Sequence, residues 1–573
     1  MAGNTGETNV RHDSHANRRT ALHRPLPTRS PVSATPSCRL PRLHNRRWLG
    51  ALCAGAFACA AALPPVHSQA QAQVNLPALG DTESEDFGIG TERKLGDQVM
   101  REIRRDPDYL DDPVLLEYAE SLWNPLLAQA RANGNISADI DQRFAWEVFL
   151  VRDRAINAFA LPGGYVGVYL GLIGLTASRD ELASVLAHEL SHVTQRHIAR
   201  SIAVGKRQSL LGAAAMILGV IAAARSNSVD AANALIIGGQ AAAIQGQLNF
   251  SRDMEREADR IGFSLLTGSG FAPGGMAAMF EKLDYSSRLN DSGAYPYLRS
   301  HPLSSERIGE ARSRLGPGPL VPATPGLEHS VAQARARVLM DSRVDALRRW
   351  QAQDAGRPAS TPAEQLGAAY SSAFASTLLR DWARADTALS QAVALATGDA
   401  RAAQSVALLQ AQSLFERGDA ERAATTLKPY VEHPSRPAML LDAQVALAAA
   451  VRARGAAATT GEAAAITTLR RSTDRMQTWL ALHPHDATAW AQSGQAWAVL
   501  GQPLRAVRAE AEVRLALGDL NGAADRLRAG QRSARSSVNV DFIDASVIDA
   551  RLRQVESQRR QVAAEERAAN GPR

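Results

Sequence analysis

Two histidines and a glutamate lie close together in the segment VLAHELSHVTQRH, residues 185–197. His188 and His192 are four residues apart, so a helix would project both imidazoles from the same side. Two imidazoles placed in this way can bind one zinc ion at about 2.1 Å each. Glu189 is rotated by about 100° from the first histidine, so its carboxylate would reach a water at the metal rather than the metal itself. The chemistry that this spacing favours is metal-assisted hydrolysis.

A hydrolytic zinc site also needs a third protein ligand and one open position. The segment NFSRDMEREADRIG, residues 249–262, has a helical pattern and carries Glu255 and Asp259 at positions i and i+4. One carboxylate of such a pair can bind the metal, while the other accepts the second ring N–H of a ligand histidine and fixes its tautomer. Glu257 would point elsewhere. Taken alone, the segment also suits a charged, solvated helix face, and the HExxH motif is what favours the metal site.

The metal chemistry requires a helix that begins before His188. Ser178, followed three residues later by Glu181, is a capping-box signature and predicts that the helix begins there. His197 comes five residues after His192, off the face that carries the ligand pair. We therefore expect His197 to be a surface histidine.

The N-terminal segment, residues 1–72, has the features of a secretory signal peptide. It combines nine arginines with two acidic residues, an uncharged run from Trp48 to Leu63, and the small-residue site Ala70-Gln71-Ala72. We expect cleavage near Ala72, after an unusually long basic n-region. The uncharged run has about 16 residues, fewer than the roughly 20 that span a bilayer, which argues against an uncleaved anchor.

Charge and cysteine content narrow the possible functions. The whole chain has a net charge of +6, but the residues after 72 hold 55 basic and 56 acidic side chains, so nothing favours a nucleic-acid partner. The cysteines Cys38, Cys53 and Cys59 all lie in the leader. The mature chain would have no cysteine, so a metal site there must use histidine and carboxylate ligands.

The mature sequence divides at a Pro/Gly segment, residues 316–326, which cannot sustain a helix. Residues 81–315 mix helical patterns with strand-like runs at 144–151 and 163–171, which predicts a mostly helical α+β domain with a small sheet. Residues 327–556 are rich in Ala, Leu and Arg and have helical periodicity, and residues 557–573 form a charged tail.

A weak repeat runs through the helical region. Four alanines each follow a turn-like position by five residues; they are Ala385, Ala423, Ala506 and Ala523, after Arg380, Gly418, Gly501 and Gly518. The residues from Trp490 to Ala506 also have the large-small-aromatic-small spacing of a tetratricopeptide repeat. Small residues at these points let antiparallel helices approach closely, and neighbouring pairs then stack into an all-α solenoid. A generic Ala-rich helical bundle is the alternative.

Three motifs taken together resemble the gluzincin metallopeptidases, the zincin class that includes the CAAX prenyl proteases. They are HELSH, the ExxAD pattern of residues 255–259, and SHPLSSERI, residues 300–308. The resemblance implies one Zn²⁺ per chain, bound by His188, His192 and Glu255, with Glu189 as general base. It also implies a role at the metal for His301, either as a fourth ligand that keeps the enzyme latent or as a cation that stabilises the oxyanion.

The leader, the stretch NAFALPGG at residues 157–164 and the repeats are most similar to periplasmic members of this class in Gram-negative bacteria. This similarity implies a zinc-dependent endopeptidase that acts in the quality control and assembly of outer-membrane β-barrel proteins and is also chaperone-like. The implied substrates are unfolded or misassembled outer-membrane proteins, and the repeats would dock the enzyme to the outer-membrane assembly machinery. The alternative is a repeat-based chaperone or scaffold with a mainly structural or latent zinc site, against which the intact Glu189 argues.

Two further segments are candidates for substrate or surface contacts. We expect Gly163, Gly164, Tyr165 and Val166 to supply an edge strand along the cleft, to which an extended peptide adds through main-chain hydrogen bonds. An ordinary core strand is the alternative. Residues 210–246 contain two uncharged runs, each of about 15 residues and too short to span a membrane. We expect a helical hairpin packed on the catalytic domain, with a lid or a peripheral membrane contact as the alternative.

Overall fold

The computed structural model describes residues 87–204, 213–215, 217–219, 221, 251–289, 295–317, 325–356, 361–433, 435–455, 460–536 and 541–569. These residues belong to one compact unit that spans residues 76–573. The predicted signal peptide and most of the apolar segment 210–246 lie outside the described residues. Within the described ranges, no helix has both the length and the apolar composition needed to cross a bilayer.

The N-terminal part of the unit combines helices with four short strands. Ten helices with continuous bounds lie within its described residues. In chain order they are α1 (Ile89–Ile103), β1 (Tyr109–Leu110), α2 (Pro113–Ala132), α3 (Ala138–Arg143), β2 (Glu147–Val151), β3 (Ala158–Leu161), β4 (Tyr165–Tyr169), α4 (Leu170–Leu175), α5 (Arg179–Thr194), α6 (His197–Val204), α7 (Arg252–Gly268), α8 (Gly274–Leu289), α9 (Pro296–Ser300) and α10 (Ser305–Ser313). This part is the predicted mostly helical α+β region with a small sheet.

The C-terminal part is helical throughout its described residues. Its helices are α11 (Leu327–Leu339), α12 (Val344–Gln351), α13 (Gln353–Gly356), α14 (Pro362–Leu378), α15 (Trp382–Leu395), α16 (Ala400–Glu416), α17 (Ala420–Leu427), α18 (Arg436–Gly455), α19 (Thr460–Leu482), α20 (Ala487–Val499), α21 (Pro503–Ala516), α22 (Leu520–Ser536) and α23 (Phe542–Ala569).

Helix α5, which carries the HELSH motif, begins where the sequence predicts. The Ser178 hydroxyl accepts a hydrogen bond from the Glu181 backbone N–H at 3.2 Å. The Glu181 carboxylate accepts the backbone N–H of Ala177 at 2.7 Å, one residue earlier than in a standard capping box. Residues 181–194 are all buried. Because α2, α7 and α8 pack around it, α5 holds its side chains in fixed positions inside the fold.

The four described strands form one mixed sheet in the order β1-β2-β4-β3. Strand β4 pairs in parallel with β2 and antiparallel with β3, and all five of its residues are buried. The prediction that Gly163 to Val166 begin an edge strand is therefore wrong. Gly163 and Gly164 form the turn between β3 and β4, with φ values of 78° and 91°, and β4 has neighbours on both sides. The edge strand of this side of the sheet is β3, which packs against α5.

The predicted turn positions of the helical region adopt the left-handed backbone conformation that ends a helix. Their φ values are 57° for Arg380, 93° for Gly418, 73° for Gly501 and 76° for Gly518. The four alanines that follow them, Ala385, Ala423, Ala506 and Ala523, are buried. Helices adjacent in the sequence pack against each other, most extensively α14 with α15 and α20 with α21. The turn and burial pattern is thus confirmed, and the tetratricopeptide identity stays a prediction.

Two consecutive aspartates at the start of α2 bind two different parts of the helical region. Asp112 caps α2 by accepting the Leu115 N–H at 2.9 Å, and it also accepts two hydrogen bonds of 2.8 Å from the buried guanidinium of Arg335 on α11. Asp111 accepts two hydrogen bonds of 2.7 and 2.8 Å from Arg436 on α18. The N-terminus of α2 is therefore fastened to both α11 and α18. We call this set of contacts the aspartate clasp.

Candidate metal centre

Four buried side chains converge at one point. His188 and His192 come from α5, Glu255 comes from α7, and His301 follows α9. One nitrogen or oxygen of each lies within 4.8 Å of the others. Each of the four residues is only 1% exposed. The i, i+4 spacing on α5 and the first turn of α7 are what bring imidazole and carboxylate groups together inside the fold.

The distances within this cluster fit a single small cation. The Nε2 atoms of His188 and His192 are 3.0 Å apart, and each lies 3.5 Å from an oxygen of Glu255. Ligands bound to zinc at 2.0–2.1 Å in a tetrahedron are separated by about 3.3 Å. The cluster therefore has the size of a zinc coordination sphere, and its nitrogen and oxygen donors are those that zinc accepts.

The electrostatics of the cluster also favour a positive charge at its centre. Burial opposes protonation of His188, yet the carboxylates of Asp259 and Glu255, which accept hydrogen bonds from its ring, raise the pKa of this histidine to about 10. Burial and the neighbouring His188 lower the pKa of His192 well below its usual value. Burial raises the pKa of Glu255, but the nearby His301 and His188 outweigh it and lower this pKa overall. The two carboxylates thus favour a positive charge beside His188, which is the place that suits a metal ion.

Asp259 and Arg307 surround the ligands. Asp259 Oδ1 lies 2.9 Å from Nδ1 of His188, the ring atom that faces away from the cluster centre. The guanidinium of Arg307 donates two hydrogen bonds to Asp259, of 2.7 and 2.9 Å, and its Nη1 lies 2.8 Å from Glu255 Oε2. It also donates to the backbone carbonyl of Pro302 at 2.8 Å. Arg307 thus fastens the carboxylates of α7 to the loop that carries His301.

His301 is held in the cluster by its backbone and by an aromatic neighbour. Its backbone N–H donates to the carbonyl of Tyr297 at 2.8 Å, and its ring stacks on the Tyr297 ring with centroids 4.6 Å apart. Its Nδ1 lies 2.9 Å from Glu255 Oε1 and 3.4 Å from His188 Nε2. His301 can therefore complete a four-ligand sphere, or donate a hydrogen bond to Glu255 beside a three-ligand one.

Glu189 lies beside the cluster without belonging to it. The residue is 0% exposed, and neither carboxylate oxygen has a hydrogen-bond partner among the described residues. The Nε2 atom of His301 lies 3.5 Å from its Oε1. A buried carboxylate normally has a hydrogen-bond partner, because leaving it without one costs free energy. The position suits a group that binds a water or a substrate proton.

The structure corrects the prediction for His197, which is completely buried rather than at the surface. Its Nδ1 lies 2.9 Å from Nδ1 of His192, and its Nε2 lies 3.0 Å from Oε2 of Glu257. Burial lowers the pKa of His197 to about 4. The prediction assumed that α5 continues past residue 196, whereas the chain turns at Arg196, whose φ is 52°.

Arg307 was also missed as a site residue. Arg307 belongs to the SHPLSSERI segment, but its spacing of six residues from His301 does not predict a contact with the site. The contact forms only because α10 folds back onto α7. The sequence did offer one signal. Two carboxylates, Glu255 and Asp259, were predicted to lie inside the fold, and two buried carboxylates require a cation besides the metal. Arg307 is 4% exposed and supplies that cation.

The close approach of α7 to α5 depends on Gly262. A Cβ atom at this position would lie 3.1 Å from the backbone nitrogen of His188. We expect Gly262→Val to push α7 away from the histidines, weaken metal binding and lower the free energy of unfolding by about 1–3 kcal/mol. Isothermal titration with zinc and denaturant unfolding measure both effects. Gly309→Val, on a helical glycine with nothing within 4 Å, is the control; equal losses in both variants would contradict the prediction.

Part of the chain is similar in sequence to a known family of peptidases. Residues 127–315, about a third of the chain, match the profile of Peptidase family M48. The matched range is thus similar to the peptidase domain of that family, and it contains Glu189 and all four cluster residues. The metallopeptidase resemblance drawn from the three motifs is confirmed.

Individual relatives extend the comparison. The putative beta-barrel assembly-enhancing protease of Vibrio cholerae is 38% identical over 264 residues, which cover 46% of this chain and 52% of that protein. The beta-barrel assembly-enhancing protease of Escherichia coli is 36% identical over 246 residues, 42% of this chain and 47% of that protein. The mitochondrial metalloendopeptidase OMA1 of Schizosaccharomyces pombe is 35% identical over 163 residues, 28% and 44% of the two chains. This chain therefore spans about half the length of the beta-barrel assembly-enhancing proteases that it matches.

Proposed function

We propose that this protein is a zinc-dependent endopeptidase of the bacterial periplasm that acts in the quality control and assembly of outer-membrane β-barrel proteins. The observation that carries the proposal is the buried Glu189 carboxylate beside a cluster sized for one metal ion. A site that only stabilised the fold would have no use for an ionisable group in this position.

The residues have distinct roles in the proposed reaction. His188, His192 and Glu255 would hold a zinc ion, which when bound would polarise the scissile carbonyl and acidify a water molecule. Glu189 accepts a proton from the attacking water, whose oxygen bonds to the carbonyl carbon. As the C–N bond breaks, Glu189 returns the proton to the leaving amine. Asp259 orients His188 through its Nδ1.

We assign the substrate peptide to strand β3 rather than β4. No second strand of the described sheet pairs with the outer edge of β3, and β3 packs against the helix that carries the histidines. An extended peptide adding there would gain main-chain hydrogen bonds that do not depend on its side chains. Broad selectivity follows, which suits the removal of unfolded chains.

The compartment and partners follow from the leader and from the relatives. Two relatives are named for beta-barrel assembly, and the N-terminal residues have the composition of a signal peptide. We propose that unfolded or misassembled outer-membrane proteins are the substrates and that the helical pairs of residues 327–556 form a tetratricopeptide-type surface that docks to the assembly machinery.

Metal removal tests the proposed activity directly. We expect the chelator-treated protein to lose cleavage of an unfolded outer-membrane β-barrel protein and to recover it with one equivalent of zinc, because the site has one set of ligands. Product formation on gels and zinc content by atomic emission give the two readouts. Full cleavage by protein shown to contain no metal would overturn the proposal.

A repeat-based chaperone or scaffold is the second candidate, and His301 is the observation that favours it. Four protein ligands around one zinc are typical of structural sites, whereas catalytic sites keep one position open. If His301 is a latch, His301→Ala should raise peptide hydrolysis; if it stabilises the oxyanion, the same change should lower hydrolysis by about 10²-fold or more. Initial rates at equal zinc occupancy separate the two roles. A rate equal to that of the unaltered protein would contradict both roles.

A further inference from the structure

We infer that His197 and Glu257 form a hydrogen-bonded pair that positions the metal ligand His192. The inference concerns the metal centre of the proposed function. It depends on zinc binding by the cluster but not on catalysis. His197 is a positioning residue in this account, since it contacts a ligand and not the metal or the substrate.

A tight turn brings His197 to this position. Helix α5 ends at Thr194, and Arg196 adopts a left-handed conformation with φ of 52° before α6 begins at His197. The Arg196 side chain fixes the turn by donating to Glu92 Oε2 and to the Phe87 carbonyl, each at 2.7 Å. The turn directs the His197 ring back against His192, where it is 0% exposed.

The contacts admit one consistent placement of protons. A neutral imidazole has one N–H and one acceptor nitrogen. Because Nε2 of His192 faces the other ligands, its proton belongs on Nδ1, and it donates to Nδ1 of His197 at 2.9 Å. His197 then carries its own proton on Nε2 and donates it to Glu257 at 3.0 Å. Glu257 accepts the last hydrogen bond of this series, and its carboxylate therefore determines the tautomers of both histidine rings.

Each of the two ligand histidines therefore has a carboxylate on the side of its ring that faces away from the cluster. His188 has a carboxylate directly behind its Nδ1, that of Asp259 at 2.9 Å. His192 has the Glu257 carboxylate behind it, with the His197 ring between them. Partners of this kind orient ligand imidazoles and raise their basicity, and their loss typically costs about 10–100-fold in metal affinity. Arg200 Nη1, at 3.2 Å, holds Glu257 from the solvent side.

Zinc affinity of the full chain measures this role without reference to catalysis. We expect His197→Phe to weaken zinc binding by about 10–100-fold in competition with a chromophoric chelator, because phenylalanine fills the space and accepts no hydrogen bond. His197→Gln, whose amide can both accept and donate, should recover part of the affinity. Glu257→Gln should weaken binding less than His197→Phe, because the amide oxygen can still accept from His197.

A matched substitution separates positioning from a general loss of stability. His329 is 2% exposed, and the hydrogen-bond contacts of its ring are with Tyr118 at 2.6 Å and with Thr176, neither of which is a cluster residue. His329→Phe should therefore leave zinc affinity unchanged. Circular dichroism confirms folding of each variant. Glu257→Leu, on a partly exposed residue, removes the acceptor and serves if His197→Phe fails to fold. Unaltered affinity in the folded His197→Phe or, failing that, Glu257→Leu protein would overturn the inference.

The outcomes also distinguish this inference from the proposed function. If the unaltered protein binds zinc and cleaves its substrate but the His197 variants keep full affinity, only the positioning role is refuted. If the unaltered protein binds zinc without cleaving, the proposed enzyme fails while a loss of affinity in His197→Phe still supports the positioning role. If no zinc binds at all, both are refuted.

Discussion

Replacing Glu189 by glutamine is expected to slow peptide hydrolysis by about 10²- to 10⁴-fold while zinc remains bound. The amide has nearly the same shape as the carboxylate but cannot accept the proton of the attacking water. The four cluster residues keep their contacts with one another, since Glu189 forms no hydrogen bond to a described residue. Initial rates on an unfolded β-barrel protein, together with zinc content, measure the two effects on the same preparation.

A control for this variant is Glu512→Gln in the helical region. Glu512 is also buried, at 4% exposed, and it accepts hydrogen bonds from Arg551 rather than facing the metal centre. We expect Glu512→Gln to retain hydrolysis. Hydrolysis by the Glu189→Gln protein at a tenth or more of the normal rate would refute the general-base role, and loss of zinc from it would show that Glu189 holds the metal instead.

Replacing Arg335 by leucine is expected to lower the free energy of unfolding by about 3–5 kcal/mol. The change removes the α11 half of the aspartate clasp and leaves the Asp112 carboxylate buried with only its helix-capping contact. It also removes the guanidinium that lies 4.5 Å from the ring centroid of Phe374. Unfolding in denaturant, followed by tryptophan fluorescence and circular dichroism, measures the loss.

Two comparisons sharpen this second prediction. Arg349 and Asp345 form an exposed pair four residues apart, so Arg349→Leu should change the free energy of unfolding by no more than about 1 kcal/mol. Adding Asp112→Asn to Arg335→Leu should recover part of the stability, because an amide costs less to bury unpaired than a carboxylate. If Arg335→Leu and Arg349→Leu change the free energy of unfolding equally, the buried pair stabilises the fold no more than the exposed pair does, which would contradict the prediction.

The sequence predicted those parts of the site that local geometry determines. The helix start at Ser178 and the shared direction of His188 and His192 follow from capping chemistry and the 3.6-residue period. The same period placed Glu255 and Asp259 on one side of their helix, and the structure brings both to the histidines. The four left-handed turns of the helical region were likewise visible as positions in a repeat.

The misses have a common physical origin in tertiary contacts. His197 was placed at the surface because a five-residue spacing was measured along an uninterrupted helix, and a single left-handed residue, Arg196, ends that helix. Strand β4 was assigned to an edge because an apolar run is the same in an edge and in a central strand; only its pairing with both β2 and β3 decides. Arg307 reaches α7 across 48 residues of sequence, a distance over which no local pattern carries information.

The most direct test of the account is an anomalous-diffraction map of Glu189→Gln crystals, recorded on both sides of the zinc absorption edge. We predict one zinc peak per chain, within about 2.3 Å of Nε2 of His188, Nε2 of His192 and a carboxylate oxygen of Glu255. A peak bound elsewhere, or a map in which the Glu255 carboxylate lies outside the coordination distance of the ion, would contradict the proposed metal centre.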